Sequence, residues 1–273
     1  MLQSVLIVAG SFGMGILGGL LGVGGGVFLV PFLALAAGLR PVEAVGVSLC
    51  CIIGTGAASS LATLRQEANL PLALLLEPFL VVGAALASLF AQRLSDRTLL
   101  LGFSGLIVFV AVLFTLRGRA HSGGRDLPKE LAGAPGPFDG VSLGTAYRAR
   151  RPAALGLLAL LAGVASGLFG VGGGVLVIPL LVFVGGLPLR AAASTSAVCL
   201  MTTAAAGAAV HVAHASVPPA VVALSLVGVL PGGLLGARLQ PRISERALRT
   251  AFVTLAIATA ILTVRRALAG GGP

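Results

Sequence analysis

The sequence predicts an all-α polytopic membrane protein made of two inverted-topology repeats, each of about four to five transmembrane segments with helices broken by glycine. Of the 273 residues, 57% are hydrophobic and only 10% are charged, which is far from the composition of a soluble domain. The mean hydropathy is +1.08. A block of six residues, Gly-Val-Gly-Gly-Gly-Val, occurs at residues 22–27 and again at residues 170–175. Composition therefore predicts the membrane class, and the duplication predicts the repeat.

Five apolar segments can be drawn in each half of the chain. In the first repeat, residues 1–116, they are residues 2–21, 23–39, 44–64, 70–91 and 99–116, and in the second repeat, residues 152–266, they are residues 153–169, 171–187, 191–213, 217–237 and 247–264. The third and fourth segments of each half reach the ~20 residues that a spanning helix needs. The second segments are short, so each either crosses at a tilt or forms one arm of a re-entrant hairpin.

Two stretches fall outside the repeats. Residues 117–151 contain seven of the basic residues together with several Gly and Pro, which predicts an exposed, mobile linker in the cytoplasm. Residues 267–273 form a short tail.

The duplicated block interrupts an apolar run, and each of its glycines lowers helix stability by about 1 kcal/mol relative to alanine. Irregular backbone is tolerated in a membrane only where protein or a water-filled cavity satisfies its polar groups. A helix that begins at such a break points free N–H groups and a positive dipole end inward, which suits an anion. Close helix packing is the alternative explanation. We expect the walls of a substrate site at Gly22, Gly24, Gly25, Gly26, Gly170, Gly172, Gly173 and Gly174.

The third segments carry polar side chains at the same repeat offset. Spacings of three, four and seven residues place them on one helical face, where hydroxyl and thiol groups could complete the coordination of an oxyanion. Alternatively, the hydroxyls bond their own helix or a neighbouring one. The matched residues are Ser48, Cys51 and Thr55 in the first half and Ser196, Cys199 and Thr203 in the second, with Thr195 as an additional hydroxyl.

Few side chains inside the spans can titrate. Glu77 precedes Pro78 within an apolar segment and could carry a coupling proton, although its repeat counterpart is Ser225. His211 and His214 stand three residues apart, a spacing that fits interfacial histidines or a proton sensor better than a metal site. No nucleophile–base arrangement is present in the sequence, so we expect no enzymatic activity, no cofactor and no bound metal.

The net charge of +10 would suggest nucleic-acid binding in a soluble protein, but here the Lys and Arg residues sit in loops between apolar spans. If each half crosses an odd number of times, thirteen of the 18 basic residues lie on the linker side and five on the other. Four crossings per half would give ten against eight. The positive-inside rule favours the first arrangement, which inverts the second repeat. Inverted repeats with broken helices near the midplane are a recurrent plan among transporters.

The doubled pattern Gly-Leu-x-Gly-Val-Gly-Gly-Gly-Val, with Pro31 and Pro179 behind it, resembles the sulfite exporter TauE/SafE family. Ser48 and the Thr195-Ser196 pair add to the resemblance, while the first half has Val47 where the pair would have threonine. The resemblance covers nearly the whole chain outside the linker. It implies movement of sulfite, sulfonates such as sulfoacetate, or related small anions across the bacterial cytoplasmic membrane.

Together, these observations predict a secondary transporter of a small sulfur-containing anion that works by alternating access. An uncoupled anion channel or small-solute facilitator is the second hypothesis, and an intramembrane enzyme or assembly factor is the third. We expect a multi-pass protein of the bacterial inner membrane whose partners are the anion and the lipid bilayer. Its glycine-rich outer faces would permit a homodimer.

Overall fold

A computed structural model describes residues 2–21, 24–63, 68–120, 138–142, 145–214, 217–239 and 245–268. These residues form ten helices and a two-stranded hairpin, so the predicted all-α class is confirmed. Six of the helices in this part of the chain are long and apolar enough to cross a membrane. The elements are α1 (Leu2–Leu21), α2 (Gly26–Leu35), α3 (Pro41–Thr63), α4 (Leu70–Ala91), α5 (Asp96–Ala120), β1 (Asp139–Ser142), β2 (Thr145–Arg148), α6 (Pro152–Phe169), α7 (Gly174–Phe183), α8 (Leu189–Ala213), α9 (Pro219–Leu239) and α10 (Glu245–Leu268).

Local chemistry explains where the long helices begin. Helix α3 starts at Pro41, three residues before the predicted segment, because proline suits the first helical turn. The Glu43 carboxylate accepts hydrogen bonds from the backbone N–H and the side-chain Nε of Arg40, which closes that turn. Helix α4 begins at Leu70, as predicted, because the Asn69 side chain accepts a hydrogen bond from the Leu72 amide at 3.1 Å.

Helices α2 and α7 are ten residues long, so each extends only about 15 Å, half of the hydrocarbon thickness. Left-handed glycines bound them at both ends. Gly25 and Gly173 precede the helices with φ of +79° and +75°, and Gly38 and Gly186 follow them with φ of +72° and +70°. Both helices are therefore shorter than the apolar segments predicted at residues 23–39 and 171–187, because the glycines turn the chain before the apolar run ends.

Helices α3 and α8 occupy equivalent repeat positions, and they pack against each other in opposite directions. A methyl group on Gly46 would lie 3.1 Å from His211 Cβ, one on Gly207 would lie 2.9 Å from Leu49 Cδ1, and one on Gly56 would lie 3.4 Å from the Met201 amide nitrogen. The contacting residue numbers on α8 thus decrease as those on α3 increase. This antiparallel packing is the geometry expected when one repeat is inverted relative to the other.

The first helix of each half packs along the fourth helix of the other half, so α1 pairs with α9 and α6 pairs with α4. Both pairs run parallel. In the first pair, Gly228 meets Val8 and Phe12, and Gly236 meets Ile16 and Leu20. Small residues at these positions let the two backbones approach closely, as is common between membrane helices.

The two ends of the helix assembly can be defined by contacts. At one end, here called the termini face, the Gln3 side chain meets the Ala37 carbonyl and the Arg266 side chain bonds the Ala34 carbonyl, so α1 begins where α2 and α10 end. At the other end, here called the linker face, α5 ends at Ala120 and α6 begins at Pro152. Helix α2 ends on the termini face, and α3, α4 and α5 then each cross to the opposite face. The first half therefore ends on the linker face.

The hairpin of β1 and β2 lies within residues 117–151, which we expected to be an exposed linker. It packs on the linker face, where Tyr147 is buried and the Asn69 side chain donates a hydrogen bond to the Phe138 carbonyl at 2.9 Å. The Arg150 amide donates to the Gly185 carbonyl at 2.9 Å. Helix α5 also extends to Ala120, into the same segment. This part of the linker is therefore ordered by contacts with α4 and the end of α7.

Candidate functional site

The two glycine blocks converge at the middle of the α3–α8 pair. A methyl group on Gly26 would lie 2.6 Å from the Gly170 carbonyl oxygen and 3.0 Å from Ser48 Oγ. One on Gly172 would lie 2.9 Å from Ile52 and 3.1 Å from Leu200. The two blocks, which are 148 positions apart in the chain, thus meet at one place, and the absence of side chains on the glycines makes the approach possible.

Hydroxyl groups on α3 bond the irregular backbone of both blocks. Ser48 Oγ donates to the Gly170 carbonyl at 2.7 Å, and Thr55 Oγ1 donates to the Gly24 carbonyl at 3.1 Å. The two hydroxyls are seven residues apart and share one helical face, in agreement with the spacing argument. They satisfy carbonyls that a broken helix would otherwise leave unpaired in an apolar interior.

Helices α2 and α7 both begin at this centre and direct their N-terminal ends towards it. In the described part of the chain, the amides of Gly26 and Val27 donate no backbone hydrogen bond, and neither do those of Gly173 and Val175. Free amides at a helix N-terminus carry partial positive charge. The centre therefore offers hydrogen-bond donors on two sides without a buried cationic side chain.

Two buried serines have hydroxyls without a hydrogen-bond partner, Ser196 on α8 and Ser166 on α6. Ser196 is the repeat counterpart of Ser48. Ser166 Cβ would lie 3.9 Å from a methyl group on Gly173, at the start of α7. In the first half the position of Ser166 is taken by Gly18, which packs directly against Gly25. The site is thus asymmetric, with more unused hydrogen-bonding capacity beside α7.

Other predicted site residues lie on the side of α8 that faces α4. Thr195 Oγ1 accepts a hydrogen bond from the Asn69 amide at 3.0 Å, and Cys199 Sγ lies 3.9 Å from the Ala73 carbonyl oxygen. The Thr203 hydroxyl donates to the Cys199 carbonyl of its own helix at 2.7 Å. Cys51 is buried on α3. The structure therefore does not bring Thr195 and Cys199 together with Ser48.

The two candidates for proton coupling lie apart from each other. Glu77 is half-buried between α4 and α8, where Thr202 Oγ1 donates to its carboxylate at 3.4 Å. His211 is buried near the termini face, with its Nδ1 2.8 Å from Gln92 Nε2 and its Nε2 without a partner. The His214 imidazole is exposed and contacts the Val210 carbonyl at 2.8 Å. In the described residues, no cluster of His, Cys, Asp and Glu could hold a metal ion.

Gly22, another predicted site residue, lies outside the described residues. Sequence reasoning missed Ile52 and Leu200, which contact both glycine blocks and are buried. Their signal was present in the repeat, because they are separated by the same 148 residues and each follows a matched serine by one helical turn. It also missed Ser166, whose signal was the exchange of Gly18 for serine between the halves.

The chain matches known sequences along nearly its whole length. The profile of the family described as "Sulfite exporter TauE/SafE" matches residues 7–263. A "Probable membrane transporter protein" of Xylella fastidiosa (strain 9a5c) is 28% identical over 273 residues, which is 98% of each chain. The "Probable membrane transporter protein YunE" of Bacillus subtilis (strain 168) is 28% identical over 256 residues, covering 89% of this chain and 90% of that one.

A longer relative also contains this unit. The "Probable membrane transporter protein MamO" of Magnetospirillum gryphiswaldense is 28% identical over 275 residues, covering 90% of this chain but only 42% of its own length. No solved structure matches the chain significantly.

Proposed function

The chain belongs to the sulfite exporter TauE/SafE family of membrane transporters, and from that premise we propose that it is a secondary transporter of a small sulfur-containing anion. The anion is of the sulfite or organosulfonate type, and it crosses the membrane by alternating access between the two repeats. The chain is a multi-pass bacterial inner-membrane protein. As it crosses, the substrate contacts the glycine backbone at residues 22–26 and 170–174 and meets Ser48 and Ser196 one after the other along its path.

The observation that carries this proposal is the convergence of two half-length helices on one centre. Helices α2 and α7 both begin there with free amides, and the glycines between them carry no side chains that would shield the backbone from a ligand. Broken helices whose N-termini point at an anionic group near the midplane recur in secondary transporters. An oxyanion accepts several hydrogen bonds at once, and this centre supplies amide and hydroxyl donors.

The unused hydroxyl of Ser166, beside the start of α7, favours the second block as the tighter side of the site. Ser166 and Ser196 are buried and have no partner, and a buried hydroxyl without a hydrogen bond is unfavourable by about 1–3 kcal/mol. An anion that accepts their hydrogen bonds would recover this free energy. In the first half, Ser48 already donates to the Gly170 carbonyl, so it must exchange that bond for one to the substrate.

Thr195 has a positioning role in this proposal, because its hydroxyl already accepts the hydrogen bond of the Asn69 amide and so holds α8 against α4. Cys51 on α3 and Cys199 on α8 are free, buried thiols.

Transport can be coupled to protons through Glu77 or His211. Both are ionisable side chains within helices that cross the membrane, where such groups are rare unless they have a function. Glu77 contacts Thr202 across the interface of α4 and α8, and His211 contacts Gln92 across the same pair of helices. Protonation at either place would change a hydrogen bond between α4 and α8, which belong to different repeats.

An uncoupled channel or facilitator is the alternative. The centre is filled by Ile52 and Leu200, which are 0% and 2% exposed. A continuous open pore would need these side chains to leave the centre, whereas alternating access requires a closed centre in at least one state. The closed packing thus supports the transporter over the channel.

The proposal is tested by uptake of radiolabelled sulfite, sulfate and sulfoacetate into proteoliposomes of the purified chain, with and without an imposed pH gradient. We expect saturable uptake of one of these anions that responds to the gradient. Glu77→Gln and His211→Gln are measured alongside, and the variant that removes the coupling proton should lose the gradient response.

Sealed vesicles that contain folded protein and take up none of the three anions would contradict the proposed substrate class. Uptake that does not saturate and does not respond to the pH gradient, in the unmodified protein and in both variants, would favour the facilitator instead.

A further inference from the structure

Ile52 and Leu200 are apolar side chains that both lie at the point where the two glycine blocks meet, each within 4 Å of a methyl group built on Gly24 or Gly172. Leu200 would lie 3.7 Å from a methyl group on Gly24 and 3.0 Å from one on Gly174, so it touches both blocks. Ile52 touches Gly26 and Gly172 in the same way. The two side chains occupy the same position in the two repeats, and both are buried.

Hydroxyl groups flank this apolar pair on both sides. Ser48 precedes Ile52 by one helical turn, and Ser196 precedes Leu200 by one turn, about 6 Å along each axis. Because α3 and α8 run in opposite directions, the two serines lie on opposite sides of the apolar pair along the helix axes. A path from one face of the protein to the other would therefore meet a hydroxyl, the apolar pair, and then a second hydroxyl.

We infer that Ile52 and Leu200 together form the gate of the transport pathway and set the largest anion that can pass. This inference rests on the proposed function, because it assigns the barrier within the same site. An anion is strongly hydrated, and apolar side chains cannot replace that water. Hydrophobic constrictions stop ions by excluding water from the passage. The pair blocks ions until movement of α3 relative to α8 separates the two side chains.

The glycines around the pair explain how such a gate can operate. The backbone of residues 24–26 and 172–174 has no side chains, so Ile52 and Leu200 rest on peptide groups where they face the two blocks. Separation then requires no rearrangement of side chains within the blocks. Substituting either gate residue by alanine removes apolar bulk at the narrowest place and leaves the hydroxyls in position.

The experiment measures passive iodide efflux from loaded proteoliposomes that contain the full-length chain, in the absence of any sulfur anion. We expect the Ile52→Ala/Leu200→Ala double variant to raise the efflux about tenfold or more over the unmodified protein, the effect of a barrier lowered by about 1.4 kcal/mol. The single variants should give intermediate rates. In uptake assays, the double variant should also accept sulfoacetate more readily relative to the smaller sulfite.

Met201→Ala is the matched control, because Met201 follows Leu200 directly on α8 but its side chain is 38% exposed. It should leave iodide efflux unchanged. Ile52→Val removes a single carbon, keeps the branched shape and is expected to fold even if the alanine variants do not. It should raise efflux by a smaller factor than the alanine variants.

Folded Ile52→Val and alanine variants whose iodide efflux and anion preference equal those of the unmodified protein would overturn the gate. If instead the unmodified protein takes up no sulfur anion but the double variant leaks iodide, the proposed substrate is wrong and the gate stands. A rise in efflux that Met201→Ala shares to the same extent would assign the leak to loosened packing and would also overturn the gate.

Discussion

At the scale of single residues, repeat counterparts have acquired different roles. Ser48 donates to the Gly170 carbonyl, while the hydroxyl of its counterpart Ser196 has no partner. Thr195 bonds the start of α4, whereas the first half has Val47 at that position. A symmetric backbone therefore carries an asymmetric set of donors. Such asymmetry allows one side of the site to bind the anion more tightly than the other.

Ser48→Ala should strongly reduce anion uptake. The change leaves the buried Gly170 carbonyl without its hydrogen bond and removes a donor for the substrate, so we expect the initial uptake rate to fall about tenfold or more. The measurement is radiolabelled sulfite uptake per milligram of monodisperse protein. Ser104→Ala is the matched control, because Ser104 is also buried and hydrogen-bonded, to Thr263 at 2.6 Å, but lies between α5 and α10.

A comparable loss of uptake in the Ser48 and Ser104 variants would mean that Ser48 acts through stability alone. Unchanged uptake in Ser48→Ala would remove this hydroxyl from the site.

The sequence was informative about Ser48 and Thr55 because polar residues stand out in an apolar helix and their spacing defines a face. The composition of the segment did not single out Ile52, since one more apolar side chain in an apolar segment has no distinguishing mark, and only its match with Leu200 across the repeat could have done so. The sequence also could not identify the hydrogen-bond partners of these hydroxyl groups. Whether Thr195 faces the glycine blocks or α4 depends on how α8 rotates in the packed structure, which no local pattern encodes.

At the scale of elements, the half-length helices α2 and α7 were predicted only in part from the sequence. Apolar continuity correctly located α1 and α4, and the glycine blocks correctly predicted a break. The ends of α2 and α7 were predicted too far along, at residues 39 and 187, because an isolated Gly38 or Gly186 in an apolar run does not reveal its left-handed φ. The β1–β2 hairpin was missed because its stability depends on burying Tyr147 against the helices, a tertiary contact.

Gly172→Ala should abolish transport while leaving insertion intact. Gly172 has φ of +73°, a conformation that alanine adopts at a penalty of about 1–2 kcal/mol. The added methyl group would also press on Ile52 at 2.9 Å. We expect anion uptake at background level in reconstituted vesicles. Gly105→Ala is the control, because nothing lies within 4 Å of a methyl group at that position of α5.

Full uptake in Gly172→Ala, and equally in Gly24→Ala, would contradict a role for the glycine blocks in the site.

Tyr147→Ala should lower the melting temperature of the purified protein. The tyrosine side chain is 2% exposed and packs between the hairpin and the helices of the linker face, so its removal leaves a cavity. Arg148→Ala is the neighbouring control. Arg148 pairs with Asp139 at the surface of the same hairpin, where ion pairs contribute little, and its loss should barely shift the melting curve. Equal shifts in the two variants would show that Tyr147 is not an anchor of the hairpin.

At the scale of the whole molecule, the directions of the helices assign the ends of α4 and α9 to opposite faces. The end of α4 lies beside His211 and the start of α3, on the termini face. Helix α9 runs parallel to α1 and so ends on the linker face. The count of basic residues predicts that the linker face lies in the cytoplasm.

Cysteine labelling checks this arrangement. In a background without Cys50, Cys51 and Cys199, Arg93→Cys should react with an impermeant thiol reagent added outside intact cells, whereas Arg238→Cys should react only after the membrane is opened. Both positions are at exposed ends of helices, so access alone does not separate them. Labelling of both from the same side would require a parallel repeat and would contradict the helix directions.

The pairing of α1 with α9, and of α4 with α6, has a consequence for biogenesis. Roughly 200 residues separate the start of α1 from that of α9, so the ribosome needs about 10–40 s to supply the partner at ~5–20 residues per second. During that interval the side of α1 that carries Gly15 and Gly19, and that packs on α9 in the folded protein, faces lipid or an insertion chaperone. The native packing can therefore be completed only during the last quarter of translation. Neither half can reach its native packing without the other.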